Sequence, residues 1–251
     1  MLRVGEKRRY QLGRSSASTP GELVEAQRIS QNGDSLMADI ALRRWTGIAG
    51  LATFALILVV APLYFVYLGP PPRDNVLSRS LVGMFQLVAL LSFVAGLQAL
   101  IRRAAPDENG LATALGFFGV VLVAVNFVAI AQEAGRMLGR TDRFDPTLVG
   151  SGAEGALVIY GPVGRILTAA FLGAAGAAIV RARVVPAWVG RAAFVLAAVQ
   201  LAFVSTFFSD TNPAQFFSVN GWHLPILGGL LGCWILCVSV ALLRQPRPTP
   251  L

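Results

Sequence analysis

Six side chains with chemical potential lie in or beside long apolar runs: Gln86, Asn126, Glu133, Arg165, Gln200 and His223. Arg165 is the costliest. A guanidinium at mid-bilayer costs at least ~2.5 kcal/mol unless it faces water or finds a partner. Glu133 is the nearest carboxylate on the preceding run, and an arginine can reach outward along its stem, so an Arg165–Glu133 pair is expected. Asn126 and Glu133 are seven residues apart, within about 20° of one helix face, and are expected to share a wall. One reading makes this set a group of interhelical hydrogen bonds, worth about 0.6 kcal/mol each, that fix a bundle. The other makes it an outward-facing polar pocket that holds a small amphipathic or anionic ligand against Arg165.

His223, the sole histidine, lies in SDTNPAQFFSVNGWHLPILGG, residues 209–229. A catalytic imidazole needs a partner within hydrogen-bond reach. Asp210 is thirteen residues away across a loop that also holds Asn212, Gln215 and Asn220, a spacing that establishes no dyad. Trp222 and Phe207, Phe208, Phe216 and Phe217, with Tyr64 and Tyr67 on the same side, read instead as a membrane-boundary rim around the pocket mouth. The chain contains no HExxH, no phosphate-binding loop followed by lysine and no GxSxG elbow. DRFDP, at Asp142–Pro146, reads as a turn. Cys233 and Cys237 are expected to be buried small hydrophobes, because two thiols fall short of the four ligands that a metal wants. The expectation is therefore no catalytic residue, no metal and no cofactor.

Elements of membrane-spanning length must position these residues. The chain has 251 residues, 55% of them hydrophobic, against roughly 45 to 50% in soluble domains. Crossing a ~30 Å hydrocarbon core takes about 20 apolar residues, and six runs qualify: 45–68, 80–101, 111–134, 156–180, 187–208 and 224–243. Period-2 alternation is absent and connections are short, so the fold class is all-α, a polytopic six-span helical bundle. Counted inward at 1.5 Å per residue, Gln86, Asn126, Arg165 and Gln200 fall in one layer roughly 7 to 14 Å below the outer ends. Pro162, in YGPVGR, is expected to kink or start span four. Small residues four apart mark packing seams: Ala169, Gly173 and Ala177; Gly228 and Gly232; Ala193 and Ala197.

Fifteen of the 21 Lys and Arg flank one set of span ends; five, Arg73, Arg79, Arg136, Arg140 and Arg143, flank the other. The positive-inside rule then places both termini in the cytoplasm. The net charge of +8 belongs to the inner face and suits anionic inner-leaflet lipid. Twenty arginines against the single Lys7 read as a GC-rich coding genome, and arginines scattered between apolar runs exclude a nucleic-acid face.

Residues 1–44 read as a polar cytoplasmic tail, with no amphipathic period over 1–36, and 244–251 as a C-terminal tail. Met37 opens MADIALRRWTGIAG, a short basic leader into the first span, so translation from Met37, omitting 1–36, is a further expectation.

Three stretches, ALRRWTGIAG, LQALIRRAAPDENG and RARVVPAWVGRAAFVLAAVQL, make residues 38 to 244 resemble a family of bacterial six-span membrane proteins abundant in actinobacteria and known as a domain of unknown function. The resemblance implies the topology and a bacterial plasma membrane, and carries over no activity and no site residue. The expected role is non-enzymatic: binding, sensing or helping to move a small hydrophobic or amphipathic molecule, with the lipid bilayer as surroundings and homo- or hetero-oligomers formed through small-residue faces. One alternative is a membrane-embedded enzyme with Glu133 as acid or base and Arg165 stabilising charge. Another is a purely structural partner subunit.

Overall fold

The computed structural model describes the backbone of residues 20–67, 70–139, 143, 153–209, 215–219 and 221–244, and the side chains of these from residue 37 onward except 153 and 154. Asp142, Asp145, Asp210, Asn212, Asn220, Arg140 and Arg247 lie outside the described residues, as does the side chain of Glu154. The described elements are all helical: α1 (Pro20–Leu63), α2 (Arg73–Ala104), α3 (Asn109–Met137), α4 (Ala153–Val158), a π-helical turn (Ile159–Val163), α5 (Gly164–Ala182), α6 (Ala187–Ala202), a 3-10 turn (Phe203–Phe208) and α7 (His223–Arg244). Six helical segments among them are long and apolar enough to cross a membrane: Met37–Leu63, Arg73–Ala104, Pro106–Met137, Gly155–Ala182, Ala187–Phe208 and His223–Arg244.

The chain divides into two units, Met1–Asp39 and Ile40–Leu251. In the first, helix begins at Pro20, although the sequence shows no amphipathic period over residues 1–36. The residues from Gly21 to Leu36 include good helix formers such as Glu, Leu, Ala, Gln and Arg, whose backbone preference needs no apolar stripe. The second unit holds the bundle.

Local signals set the bundle's helix ends. α2 follows Pro72, which is extended (φ −68°, ψ 154°). Asp74 in its first turn and Arg102 and Arg103 in its last complement the helix dipole. It stops at Ala105 (φ −142°, ψ 79°), the residue before Pro106, whose ring disfavours helical geometry there. α5 ends on Arg183 in the left-handed region (φ 52°). Val184 and Val185 then tuck inward, and the Val184 carbonyl accepts a bond from Arg43 Nη1 at 3.4 Å.

The span formed by α4, the π turn and α5 is the most enclosed, with 56% of its most apolar window buried against 28% for the spans at Met37–Leu63 and Ala187–Phe208. Phe171, Leu172, Ala175, Ala178 and Ile179 of α5 are sealed in the core. Gly176 lets α6 approach so closely that a methyl group on it would meet the Gly190 carbonyl oxygen at 2.8 Å. The seam on α5 is therefore Ala169, Leu172 and Gly176. Gly173, expected in that seam, has open space beside it, because the buried face follows the 3.6-residue period. Trp234 of α7 locks onto α6 by donating to the Val189 carbonyl at 3.0 Å, and packs edge-on against Phe171 at 6.0 Å. Phe85 and Val195 stand outward, as does Phe117 at 64% exposure, the apolar exterior that lipid, not water, accommodates.

Candidate functional site

The second span starts earlier than hydropathy alone suggests. α2 begins at Arg73, so Arg79 lies inside the span and is 4% exposed, not on the outer surface as its position beside the apolar run implied. Its Nε donates to Glu133 Oε1 at 2.8 Å and its Nη2 donates to the same oxygen, while the Tyr64 hydroxyl donates to Oε2 at 3.2 Å. The Arg79 guanidinium also covers the Tyr64 ring, 4.1 Å from its centroid. Glu133, 2% exposed, is thus paired with Arg79 and not with Arg165, which corrects the pairing drawn from sequence. Depth explains the choice: Arg79 and Glu133 sit roughly 6 to 9 Å from the ends of α2 and α3, whereas Arg165 is about 15 Å in from Gly155.

Arg165 is 3% exposed. Its Nη1 donates to Gln200 Oε1 at 3.2 Å, and its guanidinium carbon lies 5.8 Å from the Phe203 ring centroid. Its Nε and Nη2 are buried and make no hydrogen bond with the described residues. These two nitrogens form one edge of the guanidinium, the same edge with which Arg79 grips Glu133. Two parallel N–H groups on such an edge match a carboxylate or phosphate. Gln200 and Phe203 hold the guanidinium plane in place, so the edge is oriented as well as buried.

The π turn places this arginine. Pro162 has no N–H to continue the α-helical ladder, and Gly161 takes a non-helical conformation (φ −79°, ψ −113°) where the helix kinks. One wide turn results, and it brings Tyr160, Gly164, Arg165 and Thr168 onto the wall of one cavity. Pro162 therefore kinks a helix that continues outward to Ala153. π turns inside α-helices are frequent at functional sites.

The cavity measures about 570 Å³, within the range of small-molecule pockets. Its polar wall includes Gln86, Glu133, Arg165 and Gln200, four of the six residues singled out from sequence. Ile57, Val60, Leu90, Leu227, Leu231 and Ile235 make much of the rest apolar. Gln86 is half-buried and forms no hydrogen bond with the described residues. Asn126 is not on the wall: its amide donates to the Leu122 carbonyl of its own helix at 2.8 Å. Nor does His223 line the cavity. It is fully buried behind it, with Nδ1 2.6 Å from the Phe216 carbonyl oxygen and its ring stacked on Phe203 at 5.1 Å. Of the two cysteines, Cys233 faces the apolar exterior and Cys237 is half-buried. Among the described residues no group of three His, Cys, Asp or Glu side chains is placed to hold a metal ion.

Sequence reasoning passed over Arg79. A signal was present: Arg79, Gly83, Gln86 and Leu90 recur at helical spacing, which puts Arg79 on the face of Gln86. Summed over this wall and its immediate support, the charged groups among the described residues are Arg79, Glu133 and Arg165, a formal charge of +1 around a mostly apolar space. Such a space suits a molecule with an apolar body and one negative charge. Compared with models of known protein families, with characterised proteins and with solved structures, the chain matches none, so the functional reading rests on this geometry.

Proposed function

We propose that this multi-pass membrane protein binds a small amphipathic anion in the cavity, with Arg165 as its charge partner, and that it works by binding, sensing or handing on that molecule and not by transforming it. The single observation that carries the reading is the buried Nε and Nη2 edge of Arg165, which makes no hydrogen bond with the described residues although the equivalent edge of Arg79 is satisfied by Glu133. Burial makes an unpaired guanidinium expensive, and a ligand carboxylate or phosphate relieves that expense. Gln86 and Thr168 on the same wall supply further polar contact. Glu133 has both oxygens engaged, by Arg79 and Tyr64, which favours this reading over an enzyme that uses Glu133 as acid or base.

In the same proposal the cavity faces the outside of a bacterial plasma membrane, as part of the six-span family that the sequence resembles. Arg43, Arg44, Arg102, Arg103, Arg181, Arg183 and Arg244 cluster at the opposite ends of the helices from Tyr64, Trp222 and His223, which by the positive-inside rule supports cytoplasmic termini. Native mass spectrometry from a neutral detergent tests the binding reading. The wild-type protein should retain an anionic adduct in the mass range of a small amphiphile, and Arg165→Gln should lose it. An adduct equally abundant on both proteins, or on neither, refutes the role of Arg165.

A further inference from the structure

Between Gly47 and Ile57, α1 is pressed against α7, and further along the two part. A methyl group on Gly47 would meet Leu243 Cγ at 2.6 Å, and one on Gly50 would strike the Ser239 hydroxyl oxygen. A methyl group on Gly232 would meet Ile57 Cδ1 at 2.9 Å and Phe54 Cδ2 at 3.4 Å. One turn further along α7 the contact ends: nothing lies within 4 Å of a methyl group built on Gly228 or on Gly229. Both glycines line the cavity, and Gly228 is exposed. Facing them, Ile57, Val60 and Ala61 of α1 form the other jamb. Above the gap the helices are rejoined by Phe65 stacked on Trp222, with centroids 4.9 Å apart and planes 10° from parallel. The result is a side window, closed below at Gly232 and above by the aromatic stack. From Ile57 to Phe65 is eight residue steps, about 12 Å at helical rise, with α1 itself ending at Leu63.

Because Gly228 and Gly229 lie five and six residues into the span His223–Arg244, roughly 8 to 9 Å from its end, and the exposed neighbour on their face, Pro225, is apolar, the window opens onto acyl chains and not onto water. The geometry points to a ligand class: a single-chain anionic amphiphile that slides in from the bilayer between α1 and α7, places its carboxylate or phosphate on the Nε and Nη2 edge of Arg165, and leaves its tail in the window against Gly228 and Gly229. The inference rests on the Arg165 binding reading and adds the tail and its route. Two quantities favour one chain over the two of a phospholipid. The 570 Å³ cavity holds roughly twenty groups of water or methylene size, and the charge of +1 is matched by one acid group. Absent side chains at 228 and 229 leave the width that a polymethylene chain needs, on a helix whose other large residues are apolar.

The test uses the full chain in nanodiscs of phosphatidylcholine, with two carboxylate probes: oleate, whose tail must pass the window, and octanoate, which is short enough to lie within the cavity. The double variant Gly228→Phe/Gly229→Leu plugs the window without a clash in the fold, and Gly173→Leu makes a comparable change at another open glycine. Oleate affinity should fall at least tenfold in the double variant, with octanoate within twofold of wild type and Gly173→Leu unchanged for both. Arg165→Gln should weaken both probes tenfold or more. Full oleate affinity in the plugged variant, or equal loss of both probes, overturns the window while leaving the Arg165 effect to stand. Loss of neither probe on Arg165→Gln overturns the binding reading itself. Phosphatidylglycerol that displaces oleate as well as oleate displaces itself overturns the single-chain assignment. Should the plugged variant fail to fold, wild-type protein labelled with a mid-chain diazirine octadecanoate gives the same decision. Octanoate-suppressible labelling within 57–61 and 228–231 supports the window, and suppressible labelling confined to other helices refutes it.

Discussion

Replacing Arg79 by methionine should weaken the fold severely, while the same replacement at Arg165 should leave its stability nearly unchanged. The two arginines are almost equally buried, at 4% and 3% exposure, and differ in their partners. Removing Arg79 strands Glu133, itself 2% exposed, with Tyr64 as its remaining partner. A buried ion pair broken in this way costs about 3–5 kcal/mol. Removing Arg165 forfeits one charged hydrogen bond to Gln200, worth about 1.5–3 kcal/mol. It also forfeits the distant face contact with Phe203, about 0.5–1 kcal/mol. Against these losses stands the relief of a guanidinium from mid-membrane, about 2.5–3.5 kcal/mol. The terms for Arg165 cancel to within about 1.5 kcal/mol, so the two variants should differ by about 1.5 kcal/mol or more. Sodium dodecyl sulfate titration of each protein in neutral mixed micelles, followed by near-ultraviolet circular dichroism, measures the difference. The double exchange Arg79→Met/Glu133→Leu should recover most of the loss seen at Arg79 alone, because it removes both charges together. If Arg165→Met unfolds as early as Arg79→Met, Arg165 is a structural group whose partners suffice, and the argument that its free edge awaits an anion fails.

Two further outcomes test the frame around the cavity. Gly176→Leu should destabilise the protein by about 1–3 kcal/mol through overpacking against the Gly190 backbone, whereas Gly173→Leu, three residues away in open space, should stay within about 0.5 kcal/mol of wild type; equal effects in the same titration would show that α6 does not pack on that face. For the orientation, a membrane-impermeant maleimide applied to intact cells should label Phe217→Cys and leave Arg103→Cys unlabelled until the cells are opened, and the reverse pattern would invert the topology.

How much of this was legible in the sequence depends on the kind of force involved. Spans follow from apolar content, which is additive along the chain, so the six helices could be read directly. Their ends were less legible. A hydropathy window loses sight of α2 at Ser80 because Arg73, Asp74 and Arg79 lower its average, although an arginine that finds a carboxylate continues a span without penalty. Partner choice was harder still: Arg165–Glu133 and Arg79–Glu133 are equally consistent with consecutive helices, and only depth and rotation separate them. The wall formed by Gln86, Glu133, Arg165 and Gln200 came from side chains whose cost at mid-span is visible one residue at a time. Asn126 and His223 show the limit of that logic. Each is polar at a suitable depth, and each is bonded to a backbone carbonyl, at Leu122 and Phe216, that the sequence does not reveal.

The kink and the window belong together mechanically. On a regular α-helix Tyr160 and Arg165, five residues apart, would point about 140° from each other; the π turn around Pro162 places both on the cavity wall. Across the cavity, α7 forgoes side chains at 228 and 229, where packing against α1 would add stability. Both departures weaken the bundle around the same guanidinium, and neither is needed to bury it, since a closed α1–α7 seam would have buried it as well. Under the binding proposal, an anion at Arg165 offsets these losses by binding only the folded state. At a concentration 100 times its dissociation constant it adds about 2.7 kcal/mol, the same order as the desolvation that Arg165 otherwise leaves unrelieved. The bundle's stability and the cavity's occupancy are then one linked equilibrium.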